Sequence, residues 1–105
     1  MCDENAQIAW AACLFEAEGT IVDSTGSVQL RVKMTDLDVL ERLVDVFGVG
    51  EIYGPYKPGS RDGHVRKPYW VWICTEPFIR KIFEAMAPWL GARRIARARE
   101  MGLLD

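Results

Sequence analysis

Two carboxylates, Glu16 and Glu18, close a segment that carries no charge from Ile8 to Phe15. The segment reads as a helix, and its carboxyl end is the negative end of the macrodipole, where an acid costs roughly 0.3–1 kcal/mol. Two readings fit: a pair of solvated acids, or an acid held there to bind a cation. Other reactive groups are few. Cys2, Cys13 and Cys74 are odd in number and lack Cys-x-x-Cys spacing, which suits reduced thiols better than a disulfide framework or a zinc site. His64 is the only histidine and sits in a stretch rich in Pro and Gly, so it reads as a loop residue.

The elements that must position these acids follow from periodicity. The first helix is apolar all round, the mark of burial on more than one side. Ala9, Cys13 and Ala17 form a ridge of small side chains, while Ile8, Ala11, Ala12 and Phe15 lie on other faces. One face can enter the chain's own core and the ridge is free to meet another helix. Thr20–Ser24 and Val28–Met34 read as strands joined by the turn Ser24-Thr25-Gly26-Ser27. In the second strand Val28, Leu30, Val32 and Met34 point one way; Gln29, Arg31 and Lys33 point the other. The polar set reads as a solvent face or as a set of phosphate and base contacts.

Thr35 reads as an N-cap, with Asp36 and Asp38 suiting the first turn of the next helix. Leu37, Leu40, Val44 and Phe47 form its core stripe, and Gly48 and Gly50 end it. Glu51–Tyr56 is a third strand. The loop from Lys57 to Pro68 gathers Lys57, Arg61, Arg66 and Lys67, either solvated or touching phosphates. Tyr69–Cys74 is the fourth strand, with Trp70, Trp72 and Cys74 on the core side and Tyr69, Val71, Ile73 and Thr75 on the other. Thr75 reads as a cap for a helix bearing Ile79, Ile82, Phe83 and Met86. Pro88 breaks that helix, Trp89 and Leu90 pack, and a last helix covers about Ala92–Met101. Its Arg93, Arg94, Arg97 and Arg99 read as a solvated face, with contact to a nucleic-acid backbone the alternative. The order α-β-β-α-β-β-α-α makes an α+β domain over residues 1–105: a four-stranded antiparallel sheet with its helices on one face.

Composition sets limits. The chain has 105 residues, enough for a core without disulfide or metal staples, and half of them are hydrophobic, which excludes disorder. No apolar run reaches the ~18 residues of a membrane helix, and no secretory signal is visible, so a cytoplasmic protein is expected. The net charge of −2 argues mildly against nucleic acid, but the distribution is uneven. Residues 1–26 contain five acids and no Lys or Arg, and the basic side chains gather on the later elements.

With the opening stretch Ala11-Ala12-Cys13-Leu14-Phe15-Glu16-Ala17-Glu18-Gly19, the element order and the polar sheet face together, the chain resembles the LAGLIDADG homing endonucleases. Ala12, Leu14, Ala17 and Gly19 agree with that motif, Phe15 replaces an aliphatic residue, and Glu16 and Glu18 replace aspartates. The likeness extends through the Phe47-Gly48-Val49-Gly50 helix exit and the Pro88-Trp89-Leu90 step. It implies a site-specific double-strand DNA endonuclease in which two motif helices pack through small residues. The last acid of each motif, here Glu18, would be the catalytic metal ligand, with Mg²⁺ or another divalent ion as cofactor. A single motif implies a homodimer on a roughly palindromic duplex, with Ala9, Ala12, Cys13, Glu16 and Ala17 at the dimer interface.

The resemblance places Thr20, Val22, Ser24, Gln29, Arg31, Lys33, Glu51, Tyr53, Tyr69, Val71, Ile73 and Thr75 on the DNA-facing side of the sheet. Arg31, Lys33 and Gln29 are the base-reading candidates. Lys57, Arg61, Arg66 and Lys67 are the phosphate contacts. Three departures stand out: Cys13 where the family usually has glycine, Met34-Thr35 where it often has a polar group, and Glu76 where a lysine is common. A DNA-binding regulator or splicing helper that does not cut is the alternative on the same fold, and a dimeric α+β protein with no nucleic-acid role is a third reading.

Overall fold

A computed structural model describes residues 4–24, 27–57 and 67–104; Thr25, Gly26, Arg61, His64 and Arg66 lie outside the described residues. Helix α1 (Glu4–Glu18) leads into strands β1 (Gly19–Ser24) and β2 (Ser27–Met34). Helix α2 (Leu37–Phe47) follows, then strands β3 (Glu51–Tyr56) and β4 (Tyr69–Thr75), helix α3 (Phe78–Met86), a 3₁₀ turn (Ala87–Trp89) and helix α4 (Ala92–Glu100). The strands form one antiparallel sheet in the order β1-β2-β4-β3. The architecture is therefore the α+β arrangement expected from the sequence.

The ladder explains how one sheet acquires two unlike faces. Val32 stands between Gly19 and Trp72, and Leu30 between Ile21 and Cys74, so these six residues share one side. Leu30, Val32, Trp72 and Cys74 are buried there, beneath Ala11, Ala12 and Phe15 of α1, Leu40 and Leu43 of α2 and the apolar stripe of α3. Phe15 meets Phe83 edge-on with ring centroids 5.6 Å apart, a favoured geometry for aromatic pairs. Trp72 donates its indole N–H to the Val49 carbonyl at 3.2 Å, which ties the exit of α2 to β4.

Three local expectations change. Asp36, not Thr35, occupies the N-cap of α2, and it makes no side-chain cap hydrogen bond. Thr75 belongs to β4, where pairing with Gln29 keeps it extended, and Pro77 occupies the N-cap of α3. Trp89 is 42% exposed at the end of the 3₁₀ turn and does not join the core.

Trp72→Ala removes the largest fully buried side chain together with its hydrogen bond to Val49. The expected cost is about 3–5 kcal/mol, read as a lower urea midpoint with an unchanged m-value.

Candidate nucleic-acid interface and acidic centre

Helix α1 passes straight into β1, with Glu18 the last helical residue and Gly19 the first of the strand. That junction is crowded: a Cβ on Gly19 would come within 2.5 Å of the Phe15 carbonyl oxygen and run into the Phe15 ring. The last carbonyls of a helix have no partners within it. Here α4 supplies one. Arg94 Nη2 donates to the Gly19 carbonyl at 2.7 Å and to the Glu16 carbonyl at 3.3 Å. Arg94 Nε lies 3.3 Å from Glu16 Oε2, an ion pair not aligned as a hydrogen bond. The guanidinium also stands 5.1 Å over the Phe15 ring. Glu16 Oε1 accepts the Gly91 N–H at 2.9 Å, and a Cβ on Gly91 would collide with that same oxygen. Glu16 is thus half-buried and committed to α4.

Glu18 is exposed. Glu18 is the helical residue just before the Gly19–Val32 pair that opens the β1–β2 ladder, and Lys33 follows Val32 on β2. Both line one cleft with Met34, Thr35 and Tyr69. The Lys33 ammonium sits 4.1 Å over the Tyr69 ring, a cation–π contact that holds it at the edge of this cleft. Among the described residues no group of three or more His, Cys, Asp or Glu side chains is placed to hold a metal ion. One chain therefore offers one carboxylate at this point, a hard oxygen donor of the kind Mg²⁺ takes.

The sheet face away from the helices carries the polar set. Thr20 pairs with Arg31 and Val22 with Gln29; Arg31, Lys33 and Gln29 pair in turn with Ile73, Val71 and Thr75 on β4. Glu51 and Tyr53 complete the rows from β3. Arg31 donates through Nε and Nη2 to Gln29 Oε1 at 3.0 and 2.7 Å, occupying the amide oxygen that adenine readout would use. The Tyr53 hydroxyl donates to Glu51 Oε2 at 2.6 Å, and this bond, with the carboxylate's charge, raises the phenol above its usual range. Val71 and Ile73 form an apolar floor between Arg31, Tyr56 and Tyr69. Lys57 and Lys67 are exposed, while Arg61, Arg66 and the Ser24 side chain lie outside the described residues.

The ridge on α1 is open at Cys13 and Ala17 and half-buried at Ala9. Ala12 is fully buried in the chain's own core, so it has no surface for a second copy. Glu16 turns toward α4 instead. Of the residues expected at a dimer interface, Ala9, Cys13, Glu16 and Ala17 keep surface open to solvent, Glu16 while paired with Arg94. Arg94 is the residue that sequence reasoning missed. Its only visible signal was membership of an arginine-rich helix, and nothing in the chain marks it as the partner of an acid 78 positions earlier.

Solved structures that share this fold include two homing endonucleases. The homing endonuclease I-CvuI in complex with its target matches with a TM-score of 0.63 at 18% identity, over 88% of this chain and 61% of that one. The archaeal intron-encoded homing endonuclease I-Vdi141I complexed with DNA matches with a TM-score of 0.66 at 15% identity, over 88% of this chain and 62% of that one. The resemblance to LAGLIDADG homing endonucleases is borne out at the level of the fold. The chain spans about three fifths of the length of each neighbour. No family model matches the chain, and no curated protein matches it in sequence.

Two titrations test the local geometry. Burial pushes the Cys74 thiol up to about 11, so at pH 8 it stays protonated as well as enclosed. Ellman's reagent is expected to label the exposed Cys13 of the native protein and to reach Cys74 only after unfolding. For Tyr53, Glu51→Gln removes the charge that disfavours the phenolate. The 295 nm titration of that tyrosine is expected to move to lower pH.

Proposed function

We propose that this chain is a site-specific double-strand DNA endonuclease that acts as a homodimer on a roughly palindromic duplex. One observation carries the reading. The exposed Glu18 stands where the open ridge of α1 meets the polar face of the sheet, beside Lys33. Two copies joined along Ala9, Cys13 and Ala17 would bring their Glu18 carboxylates together and set their sheets side by side.

Each part of the site has a task under this reading. A two-stranded ribbon fits the major groove, and β2 with β4 forms the centre of the sheet. Arg31, buttressed by Gln29, keeps donors free for a guanine edge. The Val71–Ile73 floor suits a thymine methyl group. Lys57 and Lys67, exposed just beyond β3 and just before β4, would contact phosphates, and the fold neighbours were solved as complexes with a target and with DNA. Glu18 is the catalytic carboxylate. It supplies one hard oxygen toward a divalent cation such as Mg²⁺, and the remaining ligands would come from the partner subunit, phosphate oxygens and water. When bound, that cation would acidify the attacking water and offset charge on the leaving oxygen. Lys33 adds a positive charge beside Glu18 for a phosphate oxygen.

A DNA-binding regulator or splicing helper without cleavage is favoured by one feature: β2 runs out in Met34 and Thr35, and the exposed Glu76 follows β4. Selection from a randomised duplex library with Mg²⁺ separates the readings. Cleavage of a preferred site is expected, lost in Glu18→Gln, while that variant binds the site within about twofold of wild type. Affinity is expected to fall steeply with salt as counterions are released. Binding without cutting by the wild type identifies the regulator; salt-insensitive or absent binding removes both readings.

The homodimer has its own test. In a Cys2→Ser background, a short bis-maleimide is expected to join two chains through Cys13. A persistent monomer that does not cross-link overturns the shared centre.

A further inference from the structure

We propose that Arg94 is the positioning residue for Glu18, so that the last helix, α4, belongs to the acidic centre. The inference rests on the endonuclease reading, and it adds a residue that the motif does not contain. Glu18 lies between two carbonyls, those of Glu16 and Gly19, and one Arg94 nitrogen, Nη2, donates to both. The same guanidinium faces the Glu16 carboxylate at 3.3 Å, while Gly91 holds the other oxygen of that carboxylate. The backbone on either side of Glu18 is therefore gripped from one point.

This grip suits a carboxylate that must stay unpartnered and correctly aimed. At a helix carboxyl terminus the last turn frays easily, because its carbonyls have lost their intrahelical donors. A planar guanidinium spans two acceptors with fixed geometry, which an ammonium does not. Its positive charge also offsets the negative end of the macrodipole, where two acids would otherwise repel each other. Glu16 then serves as counter-ion to Arg94, and Glu18 is left free to face solvent and Lys33. Gly91 has an ordinary backbone conformation, φ −73°. A Cβ at this position would meet Glu16 Oε1, so a side chain there would shift that carboxylate within the clamp.

The test compares wild type, Arg94→Lys and Arg94→Met, with Glu18→Gln as reference. Three quantities are read: duplex affinity, single-turnover cleavage at saturating protein, and amide exchange of residues 17–20 in the protein alone, with α3 as internal control. Misplacement of a reacting group costs on the order of a hundredfold in rate. Arg94→Lys is expected to lose roughly tenfold and Arg94→Met roughly a hundredfold in cleavage, with affinity within about twofold of wild type. Exchange at 17–20 is expected to rise in the same order while α3 is unchanged. Wild-type cleavage by Arg94→Met overturns the proposal, and so does a loss of cleavage matched by loss of affinity or by faster exchange throughout. If the wild type itself does not cut, the endonuclease reading fails separately. Exchange then decides for Arg94: unchanged protection at 17–20 in both variants overturns the positioning role.

Discussion

A helix that runs into a strand without a spacer has a problem at its last turn. Its carbonyls are orphaned, the strand pulls the backbone into an extended path, and here two acids share the negative end of the dipole. Everything around the α1–β1 junction answers that constraint. Arg94 supplies donors for the Glu16 and Gly19 carbonyls and a counter-charge for Glu16. Gly19 makes room for Phe15, and Phe15 in turn packs on Phe83 of α3. The junction is therefore also the point where the sheet, the first helix and the last two helices are held together.

The sheet follows from a simpler rule. Strand alternation places Leu30 and Val32 under the helices and Gln29, Arg31 and Lys33 on the other side, and antiparallel pairing copies that choice across to β1 and β4. A strand with tryptophans at alternate positions then has only one side able to accept them. Trp72 takes the buried place, and Val71 and Ile73 are left on the polar face as its apolar floor. A chain of net charge −2 can present cations there because its first 26 residues carry no Lys or Arg at all.

Local features of the sequence were legible to the extent that they are local. Alternation in β2 and β4 assigned both faces, since a period of two needs no knowledge of partners. Capping differs at Thr35 and Thr75: Asp36 takes the N-cap position of α2 without a side-chain bond, and ladder pairing with Gln29 keeps Thr75 in the strand. Helix α1 was harder. Its apolar surface runs all round, so spacing alone does not separate Ala12, which is core, from Ala17, which is open. Arg94 was not legible, because its partners lie 75 and 78 residues away and the arginines beside it look alike in the sequence.

The separation of the two acids has a consequence for how copies would meet. Glu16 and Glu18 point to different neighbours, Glu16 to α4 inside the chain and Glu18 outward beside Lys33. The face such copies would share is then the short open stretch of Ala9, Cys13 and Ala17. Helix pairs lie about 8–10 Å apart depending on the side chains at contact. Alanine permits the near end of that range, and a thiol at the middle of the ridge pushes toward the far end. In the proposed homodimer the reach between the two Glu18 carboxylates would thus be governed by Cys13, a residue given no part in the proposed chemistry. Glutamate, one methylene longer than the aspartate of the motif, would give each acid of the proposed pair a longer reach across such a spacing.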